Sequence, residues 1–302
     1  GHGSALRPTL MIMPATAPTL AVVVLSVGAP ADLRGAVRSL VTQVPQPAEI
    51  VVVNSGGGDP SGRVRHLLAD EAVFHTDTLL RHGATRNVGI TATRASHVSF
   101  LSADCRARPG WVAGRLTAHA AGAAAVGSAL VNRFPDSAAA TAAHMILYSR
   151  RMPRAEPHQV LRYGASYDRA LFDQFGGFDE SLDGGEDTQF HNRLNRGGVA
   201  IGWAPDVVTE HPNPRTVRAL AREQLWRGRR MTRFQVGQGM SHSQVLARVL
   251  GRTPADLARA WRSATPDDYP MMVAATPLTA LALGAYTVGC ITAHPTPLRR
   301  RA

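Results

Sequence analysis

The run Leu20-Ala21-Val22-Val23-Val24-Leu25-Ser26-Val27 is the strongest constraint on how this chain of 302 residues can fold. It is short, continuously apolar and rich in β-branched side chains, and Gly28-Ala29-Pro30 ends it. A strand of this kind must be covered on both faces, because it has no polar alternation to turn towards water. Two further runs repeat the pattern. Residues 50–53 lead into Asn54-Ser55-Gly56-Gly57-Gly58-Asp59, and residues 98–101 lead into Ser102-Ala103-Asp104. Helical spacing fills the gaps at 31–43, 61–70 and 84–95, with a short strand near 72–76. Strands alternating with helices predict a parallel α/β sheet with helices on both faces. Ligands of such sheets sit beyond the carboxyl ends of the strands, where residues 26–28, 54–59 and 102–105 lie.

The second half is less regular. Its pattern predicts a strand at 125–131, a helix at 137–150, an extended stretch at 158–166, a short helix at 168–175 and a turn at 176–180. A helix follows at 185–196, stopped by Gly197-Gly198, then short strands at 199–203 and 207–209. Pro212 and Pro214 mark a boundary. Gly1-His2-Gly3-Ser4 reads as an expression remnant, with Met11 or Met13 as the native start. Hydrophobic content of 44% excludes a disordered chain, and two cysteines exclude both a disulfide scaffold and a four-cysteine zinc site.

All 33 basic residues are arginine, and the formal net charge is +11. A surplus of this size calls for an anionic partner. It is concentrated late in the chain. Between Arg215 and Arg262 there are eleven arginines against Glu223 and Asp256. Residues 216–236 combine them with Leu220, Leu225, Trp226, Met231 and Phe234 at helical spacing, the pattern of a basic amphipathic helix at an anionic membrane surface. Residues 242–263 predict one or two more basic helices, and residues 271–293 carry no charge over 23 positions, enough to cross a bilayer. That last run reads equally as a membrane-embedded helix or as one docked on the domain. Nucleic acid is not expected as a partner, because only Trp226, Phe234 and Trp261 are available there for stacking.

Four clusters can carry chemistry. Asp104 follows a buried strand, so its carboxylate can reach the ligand crevice and hold Mg²⁺ or Mn²⁺ beside phosphate oxygens; the alternative is a loop acid capping the next helix. In Asp183-Gly184-Gly185-Glu186-Asp187, Asp183 and Glu186 have capping-box spacing. Asp187 shares a helix face with Phe190, His191 and Leu194, where a carboxylate can act as a general base. Arg86 sits in a small-residue helix start (81–90) suited to a diphosphate. His211 precedes Pro212 and is a structural hydrogen-bonder or a ligand. The glycines at 56–58 are not a P-loop, lacking its GK[ST] ending.

Taken in this order, the pieces resemble the family 2 glycosyltransferases of GT-A fold, in the bacterial form with a basic and apolar C-terminal tail. The resemblance spans residues 20–235. It implies an α/β fold with a nucleotide-sugar half at 18–130 on a mixed sheet, an acceptor half at 131–213, a basic helical region at 214–268 and an apolar segment with a basic tail at 269–302. It also implies inverting transfer from a nucleotide-diphosphate sugar, such as a UDP-sugar, to a glycan, lipid-linked or natural-product hydroxyl. Ser26, Val27, Gly28, Asn54, Ser55, Asp59, Arg86, Ser102 and Ala103 would bind the donor. Asp104 and His211 would hold a divalent Mg²⁺ or Mn²⁺. Asp187 would be the base and Glu186 its neighbour positioning the acceptor, with Gly164, Ala165 and Trp203 on the acceptor side. Two departures stand out: Ser102 replaces the first acid of the DXD metal motif, and Asn54 and Ser55 replace acids in the second-strand loop. The enzyme would work in the cytoplasm, at the inner face of the cell membrane. The competing readings are a basic binding protein on an inert α/β scaffold and a related nucleotidyltransferase.

Overall fold

The computed structural model describes residues 17–155 and 164–293. The expectations for the N-terminal remnant, for residues 158–163 of the extended stretch and for the arginines at 299–301 lie outside these residues.

The first half is the predicted alternation. Strand β1 (Leu20–Val27) is followed by helix α1 (Leu33–Val41), β2 (Glu49–Ser55), α2 (Ser61–Val64), β3 (Val73–His75), α3 (His82–Thr91) and β4 (His97–Ser102). Successive side chains of a strand point to opposite faces. Val22 and Val24 therefore pack with Leu33, Val37 and Leu40, while Val23 packs with Val51, Phe100 and Phe178 on the other face. The three central strands end level with one another: Leu25 pairs with Ser102, Ser26 with Asn54 and Val27 with Ser55.

The second half contributes β5 (Arg106–Ala107), α4 (Trp111–Ala120), β6 (Ala125–Asn132), α5 (Ala138–Tyr148), β7 (Ser166–Asp168), α6 (Ala170–Phe175), α7 (Glu186–Arg196) and β8 (Ile201–His211). The sheet order is β3-β2-β1-β4-β7-β6-β8-β5. Strand β7 runs antiparallel between β4 and β6, so the sheet is mixed rather than all parallel. The two short strands expected at 199–203 and 207–209 are one strand. Its pairing with β6 jumps from Ala204 to Val208, and residues 205–207 form a bulge there. A proline inside a strand is confined to such irregularities, so Pro205 imitates a strand end in the sequence.

Three long helices close the chain: α8 (Val217–Gly237), α9 (His242–Ser263) and α10 (Tyr269–Ile291). They dock on α5. Leu220, Ala275 and Ala282 pack against Ala139, Ala142 and Ala143, and Met272 and Ala260 pack against Met145 and Met152. Helices α8 and α10 touch backbone to backbone. A Cβ on Gly228 would lie 2.1 Å from the Tyr286 carbonyl oxygen, and one on Gly289 would lie 2.2 Å from that of Leu225. The apolar run is thus docked along one face. Its other face, with Val273, Leu281, Val288 and Ile291, is exposed.

Candidate active site

The carboxyl ends of β1 and β4 open into a cleft of about 440 Å³, closed on the far side by α7, β8, α5 and α8. From β1, Ser26 and Val27 line it. Gly28 turns the chain with φ +65° and donates its N–H to the Ser55 carbonyl at 2.9 Å. Asn54, Ser55 and Asp59 are not among the lining residues. The Asn54 side chain is fully buried and braces the strand ends, accepting from the Ser26 hydroxyl at 2.8 Å and the Ala29 N–H at 2.9 Å while donating to the Gly57 carbonyl at 2.9 Å. Asp59 accepts from the Ser61 N–H at 2.8 Å at the start of α2.

From β4, Ser102, Ala103 and Asp104 line the cleft. Asp104 is half-buried, and the Cys105 thiol donates to its Oδ1 at 3.5 Å. Burial, with Asp104 beside it, pushes the Cys105 thiol well above its usual range. His211 reaches the same cleft from the end of β8. Its Nε2 is hydrogen-bonded to the Tyr148 hydroxyl at 3.1 Å, and burial lowers its pKa to about 4. The imidazole is therefore neutral, the form that ligates a metal. Its Nδ1 is buried without a hydrogen-bond partner. Among the described residues no three acids, histidines or cysteines gather into a closed metal cage. Asp104 and His211 both line the cleft, and the Asp104 charge bears on the imidazole. Two donors of these types could hold a cation only if it took its remaining ligands from phosphate and water.

Glu186 and Asp187 line the opposite wall. The capping box expected from Asp183 to Glu186 is not formed. Gly185, at φ +84°, is the N-cap, so the helix starts later than that spacing implied. Asp183 pairs with Arg81 at 2.7 Å instead. Glu186 turns to Arg86, whose Nη1 donates to its Oε1; Glu186 is buried and Arg86 is largely covered. The Arg86 guanidinium lies 5.4 Å from the Phe100 ring centre and 5.2 Å from that of Phe178. Arg86 was expected to meet a diphosphate, but its charge is engaged by Glu186. Next to it, Asn87 holds the turn at 176–180, donating to the Phe178 carbonyl at 2.9 Å and accepting from the Phe178 N–H at 2.8 Å. The Asp187 carboxylate accepts from the Thr188 N–H at 2.7 Å and makes no ion pair among the described residues. One turn on, His191 Nε2 is hydrogen-bonded to the Tyr167 hydroxyl at 2.6 Å.

Of the acceptor-side expectations, Gly164 lines the cleft, at φ +65° and against Arg151. Ala165 is buried in the core, and Trp203 lies on β8 away from the cleft lining. The sequence reading missed His82, Tyr148, Arg151 and Arg230, all of which line the cleft. Arg230 belongs to the helix read as a membrane face. The spacing of Glu223, Arg227 and Arg230 was the available signal, because it places them on one face. Glu223 and Arg227 are paired at 2.7 Å.

With the geometry in hand, comparison with known proteins agrees. The glycosyl transferase family 2 model matches residues 21–174, just over half of the chain, and the chain belongs to that family. Two curated relatives, the pre-mycofactocin glycosyltransferases of Mycobacterium tuberculosis strains CDC 1551 and H37Rv, are 26% identical over 204 residues. The match covers 63% of this chain and 43% of each relative, so the chain spans less than half of their length. Among solved structures, mannosyltransferase PcManGT from Pyrobaculum calidifontis, in complex with GDP-Man and Mn²⁺, superposes with a TM-score of 0.60 at 17% identity. That match covers 92% of this chain and 87% of the other and shows the GT-A fold, followed by C-terminal helices.

Besides His211, burial holds three more histidines neutral: His119 and His191 at a pKa of about 4, and His144 at about 3. In the unfolded chain each titrates near ~6.5. Below that value the unfolded state takes up protons that the folded state refuses, so stability falls as the pH drops towards 4. Urea unfolding at pH 7 and pH 5 should show a loss on the order of 1 kcal/mol per histidine; equal midpoints would contradict it.

Proposed function

We propose that this protein is an inverting glycosyltransferase that moves a sugar from a nucleotide-diphosphate sugar to an acceptor hydroxyl. The carrying observation is that Asp187, free of any ion pair among the described residues, shares one cleft with Asp104 from the opposite half of the sheet. Family membership and fold support the class of reaction. The archaeal neighbour's complex with GDP-Man and Mn²⁺ supports a donor of this chemistry and a divalent cation.

In this reading the donor lies over Ser26, Val27 and Ser102. Asp187 takes the proton of the acceptor hydroxyl as its oxygen attacks the anomeric carbon from the face opposite the leaving diphosphate. Displacement from that face inverts the anomeric centre. Glu186, held by Arg86, fixes the first turn of α7 and so the direction of the Asp187 carboxylate. Asp104 and His211 would hold a divalent cation, which when bound neutralises charge on the departing diphosphate. Arg151, which lines the cleft, adds positive charge on that side. An acceptor-side base argues against a nucleotidyltransferase, and the arginines turned into the cleft argue against an inert binding scaffold.

The exposed side of α10 favours contact with a membrane at the cytoplasmic face. The helix at Pro266–Ile291 has a mean hydropathy of 1.5 over a window that is only 22% buried. Exposed Arg218, Arg222 and Arg233 on α8 supply the charge for anionic headgroups.

Three experiments test these readings. Asp187→Asn should keep the fold and lose about 10²- to 10⁴-fold in transfer to acceptor. Asp104→Ala and EDTA should each weaken nucleotide-sugar binding in a thermal-shift screen with Mn²⁺. Unchanged transfer by the Asp187 variant, or indifference to every UDP-, GDP- and TDP-sugar, would sink the transferase reading. For the membrane, the protein should sediment with phosphatidylglycerol vesicles, and Leu281→Asp with Val288→Asp should release it. A protein that stays in the supernatant would contradict membrane contact.

A further inference from the structure

We infer that Arg230 makes the cleft selective for an acceptor bearing a carboxylate or phosphate group. The inference rests on the transferase reading for its purpose, but the site stands on its own geometry.

Arg230 reaches the cleft from α8 and lines it together with Glu186, Asp187 and His82. Its guanidinium is clamped. Nη2 lies 2.0 Å from the point where a Cβ on Gly184 would stand, so the group rests directly on the backbone of the loop that opens α7. The Trp226 ring centre lies 5.0 Å away. Only glycine at 184 leaves room for this placement.

The clamped charge is unspent. No acid lies within 4.0 Å of Arg230 among the described residues. Glu186 is engaged with Arg86, Asp183 with Arg81 and Glu223 with Arg227, while Asp187 bears on Arg230 from beyond ion-pair distance. Burial, with Arg227 on the same helix, lowers the pKa of Arg230. A planar fork held this way matches a carboxylate or phosphate through two parallel hydrogen bonds.

Its position selects the acceptor rather than the donor diphosphate. The acids whose charge bears on Arg230 are Glu186, Asp187 and Asp183, at and just before the start of α7. The acid bearing on His211, at the other end, is Asp104, while Arg227 bears on both Arg230 and His211. An acceptor anion docked on Arg230 would bring its own hydroxyl alongside Asp187. It would also add a negative charge that the two acids there would otherwise repel, which is why a cation is needed at this point.

The test uses the full chain and three probes that share a ring but differ in charge: glucose, glucuronate and glucose 6-phosphate. Binding is followed by saturation-transfer NMR and calorimetry, with nucleotide-sugar binding measured in parallel. Glucuronate or glucose 6-phosphate should bind wild type at least about tenfold more tightly than glucose. Arg230→Gln should erase that preference, Arg230→Lys should keep part of it, and Arg252→Gln, an exposed arginine of α9, should keep all of it. Nucleotide-sugar binding should be unchanged in all three variants. Equal affinities, no binding of the charged probes, a preference that survives Arg230→Gln, or a loss of nucleotide-sugar binding in that variant would each overturn the inference. If wild type binds no nucleotide sugar yet prefers the charged probes, the transferase reading fails and the anion site stands.

Discussion

The pairing of Arg86 with Glu186 holds the site together. The two residues are a hundred positions apart, on α3 of the first half and α7 of the second. Burying either charge alone is costly, and burying them together is tolerable only while the pair stays closed. The rings of Phe100 and Phe178 flank the guanidinium, and Asn87 one residue on grips the turn that leads to α7. Helices α3 and α7 are thereby tied together across the two halves of the chain, and Asp187 inherits its place from its neighbour's bond.

The C-terminal helices are part of that site as well as an appendage to it. Crossing at Gly228 and Gly289 brings α8 and α10 into backbone contact. It holds α8 so that Arg227 points towards Tyr148 and His211 while Arg230 lies over Gly184. The charge surplus is therefore divided: part of it works inside the cleft, and Arg218, Arg222 and Arg233 stay in solvent.

The central strands were legible because covalent bias and burial agree in them: continuous β-branched runs such as Leu20–Val27 have no other stable use. Asp104, Asp187 and His211 line the cleft as the family resemblance implied, where strand and helix ends alone left a structural use open for each. What could not be read was set by distant partners. Glu186 had the spacing of a helix cap, but Arg86 offered a stronger bond. Asn54 had the place of a ligand, but its amide is consumed in bracing β1 to β2. Arg230 had the composition of a membrane face, and only the packing of α8 on α10 and α5 turns it inward. Pro205 broke a strand in the sequence that a bulge keeps whole in the sheet.

A double-mutant cycle on Arg86→Met and Glu186→Gln, read by urea unfolding, tests the central claim most directly. Each single change leaves a buried group without its partner and should cost about 3–5 kcal/mol. The double variant should be at least as stable as the worse single one, so the coupling energy should be no smaller than the lesser single loss, about 3 kcal/mol. Additive losses in the double variant would show that the pair does not join the two halves.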